Sequence, residues 1–65
     1  MITLRFIEVG TDKRQEQDLN WYGPTIPRIG DYLRIPERGS QKPIKGLVCS
    51  VTWTGDGQAD IRYSP

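Results

Sequence analysis

Apolar and polar residues alternate along the start of this chain. Ile2, Leu4 and Phe6 fall on one side of an extended backbone, Thr3 and Arg5 on the other. A period of two marks a strand half buried in a sheet. Ile7 and Val9 break the rule, which predicts burial on both faces near the strand end or a bulge. Residues 10–18 are polar throughout and mixed in sign, so they read as a hairpin loop with room for one helical turn. A second strand is expected around Leu19–Tyr22, stopped by Gly23-Pro24 because proline cannot donate to a ladder. After Pro27 and Gly30, residues 31–35 read as a short strand, with Leu33 and Ile35 pointing one way and Tyr32 and Arg34 the other. Residues 36–43, "PERGSQKP", are a loop by composition. "IKGLVCSVTWT" is the longest β-prone run, and "QADIRYS" answers it. No helical period persists over the window of about eleven residues that would establish a helix. The class predicted is all-β, and residues 1–65 read as one domain.

The register of the last hairpin follows from which side chains share a face. A two-residue turn at Asp56-Gly57 would set Trp53 against Asp60 and Val51 against Arg62, mixing apolar groups with charges on one face. A three-residue loop, Gly55-Asp56-Gly57, puts Thr54 opposite Gln58, Trp53 opposite Ala59, Val51 opposite Ile61 and Cys49 opposite Tyr63. One face is then apolar and the other polar. Gly57 also supplies the left-handed residue that such loops end on. In this register Trp53 is expected to pack over Ala59 in the core, and Cys49 to sit mid-strand as a small hydrophobe.

Totals narrow the chemistry. The chain has 65 residues, one Cys and no His. A core of this size rarely contributes more than about 3–5 kcal/mol of net stability. A single Cys makes no internal disulfide and cannot hold zinc alone. No metal and no cofactor are therefore expected. Without His the commonest general base is missing, and no Ser, Thr or Cys is spaced with a Lys or carboxylate as a nucleophile pair. Asp56 and Asp60 lack the spacing and the closing Glu of a calcium loop. The expectation is a non-enzymatic protein. No stretch approaches the length of a membrane span, and the unpaired Cys fits a reducing, cytoplasmic setting.

Charge is uneven although the net is only +1. From Arg28 to Lys45 the excess is +3, carried by Arg28, Arg34, Arg38, Lys42 and Lys45 against Asp31 and Glu37, while the remainder is acidic. The residues expected to carry binding are Trp21, Tyr22, Arg28, Tyr32 and Arg34, since Trp, Tyr and Arg dominate interface energetics. For Trp21 and Tyr22 a second reading stands beside this one: they plug an open barrel end.

Short strands separated by Gly/Pro turns point to a five-stranded antiparallel barrel or strongly curved sheet. Gly30-Asp31 with Leu33 and Ile35, then Gly46, Val48 and Val51, resembles the G-D-x-V-x-I … G-x-V-x-x-V arrangement of SH3-like barrels of the KOW and Tudor kind. Val48 and Val51 differ in parity, which a bulge near Cys49-Ser50 reconciles. That resemblance implies a binding module for RNA or protein tails, without an aromatic cage. "GDYLR" is similar to a strand of the type II dihydrofolate reductases, but "ADIRY" departs from their active-site strand and no active-site residue carries across. Over its length the chain also resembles small proteins of phages and mobile elements, in "PRIGDY" and "SVTW". Two functions are expected as alternatives. One is a protein-binding module, self-associating or acting as an inhibitor or adaptor. The other is a nucleic-acid-binding barrel, with Arg28, Arg34, Arg38, Lys42 and Lys45 on phosphates and aromatic stacking on bases.

Overall fold

The computed structural model describes residues 1–10 and 15–65. Five strands, β1 (Ile2–Glu8), β2 (Glu16–Trp21), β3 (Tyr32–Ile35), β4 (Ile44–Gly55) and β5 (Gln58–Ser64), form one sheet in the order β2-β1-β5-β4-β3. The sheet is all-β and curls into a half-barrel. Three of the four pairings are antiparallel. The exception to the antiparallel expectation is central: β1 and β5 run parallel, Leu4 beside Ala59 and Phe6 beside Ile61. The chain folds as a β1–β2 hairpin and a β3–β4–β5 meander, joined through their two inner strands.

Alternation decides what the curl encloses. Leu4, Phe6, Leu33, Ile44, Val48, Ala59, Ile61 and Tyr63 face inward and form the buried cluster. Ile7 is equally buried, at 2 % exposure, yet lies outside that cluster. Its pairing is in register on both sides, with Glu16 and Arg62, so it is buried on the opposite face and not in a bulge. β2 begins at Glu16, earlier than the polar run suggested. Its outward residues alternate with Gln17, Leu19 and Trp21, and mixed polarity suits an edge strand with one wet side. The expected helical turn falls partly at residues 11–14, outside the described residues.

In the last hairpin Trp53 faces Ala59, Thr52 faces Asp60, Val51 faces Ile61 and Ser50 faces Arg62, the register that face segregation requires. Gly57 takes the left-handed conformation, φ 72°. The loop itself is tighter than expected: Gly55 pairs with Gln58, and the ladder shifts between Trp53 and Gly55. A second shift, between Val48 and Ser50, changes what lies beyond it. Tyr63 meets Val48 and not Cys49, Cys49 is exposed, and its Sγ lies 3.5 Å from the Leu47 carbonyl oxygen. The extra residue lets Val48 and Val51 turn inward despite their parity. Trp53 also departs from expectation. It is 55 % exposed, although its partner Ala59 is fully buried. Register placed it on the inner side, but β4 runs on past the end of β3, and Trp53 is not among the residues packed on the core.

Gly46 makes the meander close. Its φ is +151°, and a Cβ there would collide with the Ser64 carbonyl and come within 2.9 Å of the Tyr63 ring. Only a residue without a side chain lets that ring cross β4 at close range.

Candidate functional site

A half-barrel has two free edges, here β2 and β3, and the space between them is a seam. Its two ends are fastened differently. At one, the Gln17 side chain acts as a short piece of strand: its Nε2 donates to the Lys42 carbonyl and its Oε1 accepts from the Lys42 N–H, both at 3.1 Å. At the other, Trp21 leans on the core, its ring 6.2 Å from Phe6 and tilted by 51°. The indole N–H donates to the Thr25 carbonyl at 2.8 Å, which holds the segment after β2 across the opening. Neither bond follows from periodicity, because Gln17 and Lys42 both lie in stretches that read as loops.

Between these fastenings lies a cleft of about 400 Å³. Trp21 with Thr25, Ile26 and Pro27 forms its wall, and the run from Asp31 to Ile35 its floor. The approach to β3 is set by a compact turn. The Arg28 N–H donates to Asp31 Oδ2 at 2.9 Å and the Asp31 N–H to the Arg28 carbonyl at 3.0 Å. Alternation within β3 is as expected, with Leu33 inward and Tyr32 and Arg34 outward. Among the described residues no backbone hydrogen bond joins β3 to anything but β4. The cleft therefore has an unpaired strand edge as its floor.

Three expected binding residues, Trp21, Tyr32 and Arg34, line this one cleft. Tyr22 does not. It stands 77 % exposed just past β2, so of the two only Trp21 packs against the core. Arg28 belongs to the turn before β3 and is exposed. The other basic residues gather on one hairpin: Arg34 and Lys45 are directly opposite across β3 and β4, while Arg38 and Lys42 flank its tip, where Arg38 bridges to Gln41. All four are exposed. The described ion pair, Arg5 Nε to Asp18 Oδ1 at 3.1 Å, lies away from this hairpin on β1 and β2. It raises the Arg5 pKa, through the hydrogen bond to Asp18 first and its charge second. Among the described residues no cluster of three or more His, Cys, Asp or Glu is placed to hold a metal. Among the described residues no helix is long and apolar enough to cross a membrane.

Fold and cleft together define a small open half-barrel with an accessible edge strand beside an aromatic wall. No protein-family model, curated protein or solved structure matches the chain.

Proposed function

We propose that the protein is a non-enzymatic binding module that takes up an extended segment of a partner protein in the seam, as an added strand on β3. The observation that carries this is the unpaired edge of β3 forming the floor of the cleft walled by Trp21. Strand addition draws affinity from main-chain hydrogen bonds and specificity from pockets for alternate side chains. The cleft offers both, and Trp21, Tyr32 and Arg34 are residue types that anchor interfaces. An inhibitor or adaptor role, on a partner whose own segment is extended, fits the same surface. A cytoplasmic setting, from the unpaired Cys49, and a mobile-element origin, from sequence resemblance, remain part of this reading.

Selection from a displayed library of random linear peptides tests it. Enrichment of segments with alternating apolar residues is expected. Arg34→Pro removes an edge N–H, a change that edge strands tolerate, and should abolish capture while circular dichroism stays native. An unenriched library, or capture indifferent to Arg34→Pro, would refute the reading.

One observation favours nucleic acid as a second reading: the exposed Arg34, Arg38, Lys42 and Lys45 on a single hairpin, with Arg28 at its base. Phosphate binding by such a set would show an affinity that falls steeply with salt.

A further inference from the structure

The seam also specifies what the added strand should carry. Val48 N–H donates to the Asp31 carbonyl at 2.9 Å, and Asp31 lies in the same register as the β3–β4 ladder. In an antiparallel ladder the bonded residues alternate. Leu33 and Ile35 thus turn their N–H and C=O groups toward β4, and Tyr32 and Arg34 turn theirs toward the seam. An antiparallel strand entering the cleft would exchange two hydrogen bonds with Tyr32 and two with Arg34. Its residue between those two would oppose Leu33 and point inward, beside Trp21 and Ile26.

The outer face adds a charge requirement. Arg34 and Lys45 are directly opposite in a non-bonded pair, the closer of the two antiparallel spacings. Like charges so placed repel. Among the described residues neither makes an ion pair. A carboxylate beside Arg34 would relieve that repulsion and gain a charge-assisted hydrogen bond.

We infer that the seam selects an extended segment patterned apolar–acidic–apolar–aromatic, running antiparallel to β3 with its acidic residue beside Arg34 and Lys45, its apolar residues against Ile35 and Leu33, and its aromatic beside Tyr32. This rests on the strand-addition reading above and fixes the chemistry of its partner.

The test uses two fluorescein-labelled, capped hexapeptides, Thr-Val-Glu-Val-Tyr-Thr and its Gln analogue, read by anisotropy. Trp21 emission in a Trp53→Phe background gives a second readout from the cleft wall. At low salt the Glu peptide should bind about tenfold more tightly than the Gln peptide, the scale of one charge-assisted hydrogen bond. Arg34→Gln should bring the two peptides together without weakening the Gln peptide by more than about threefold. Equal binding of both peptides to the unaltered protein overturns the acidic preference and leaves strand addition standing. If neither peptide binds and the library selection is also empty, strand addition falls as well. A single-stranded oligothymidylate that binds more tightly than the Glu peptide, and loses affinity with Arg34→Gln, overturns the inference in favour of nucleic acid.

Discussion

Trp21 and Trp53 are the same residue type near opposite margins of one sheet, and the fold uses them differently. Trp53 has an ordered cross-strand partner in Ala59, yet more than half of it is exposed. Trp21 lies at the end of an edge strand beside a Gly-Pro stop, yet it packs on Phe6 and holds Thr25. Cross-strand register determines which face a side chain shares. Burial additionally needs a second layer over that face, and the curl supplies one at Trp21 but not at Trp53. The lesson extends to the last hairpin: Ala59 and Ile61 on β5, flanked by β1, are core, while Trp53 on β4, beyond the end of β3, is not.

The largest expected effect tests the curl itself. Gly46→Ala places a Cβ into the Ser64 carbonyl and the Tyr63 ring, and should cost about 3 kcal/mol or more in urea denaturation. A loss under about 1 kcal/mol would mean the meander has slack there. Next, Trp21→Ala removes a half-buried indole and its bond to Thr25, for an expected loss of about 2 kcal/mol. Gln17→Ala breaks the paired bonds to Lys42 at the other end of the seam, for about 1 kcal/mol. Amide exchange should quicken at Lys42 in that variant, and an unchanged rate there would show that the fastening is dispensable.

Tyr63 sharpens the comparison through pH. Burial, and secondarily the charge of Glu8, raise its phenol above the ordinary value of 10.0. The folded state thus holds the proton longer than the unfolded chain. Its contribution is whole below the unfolded value and lost as pH climbs through the higher folded value. Stability should therefore be flat toward neutral pH and fall in the alkaline range, and Tyr63→Phe should lessen that fall. Smallest of all, Trp53→Ala should change stability by less than about 0.5 kcal/mol. Its emission should be quenched by acrylamide more readily than that of Trp21.

Much of this architecture can be read from the chain because period-two alternation is strong where one face is buried. Leu4 and Phe6 in β1, Leu33 in β3, and the facing of Val51 with Ile61 all follow from it. The bulge after Val48 is legible as a parity conflict between Val48 and Val51. Alternation says nothing, however, about which strands become neighbours, so the parallel pairing of β1 with β5 is invisible to it. Nor does it report where a sheet stops having a layer above it, which is why Trp53 reads as core. Trp21, Tyr32 and Arg34 stand out by residue type. Their meeting in one cleft depends on a curl that places the end of β2 beside β3, a long-range fact with no local trace.

The parallel contact between β1 and β5 has a bearing on the order in which the sheet can assemble. β1 precedes the other four strands in the chain, but its inner neighbour β5 follows them all. Until then the chain can hold two separate hairpins, β1–β2 and β3–β4, each marginal on its own in water. Contacts between such distant segments demand that loop-closure entropy be met before they reward it, which slows folding. The sheet becomes continuous only once β5 is seated between β1 and β4, and until then β1 keeps the edge away from β2 open.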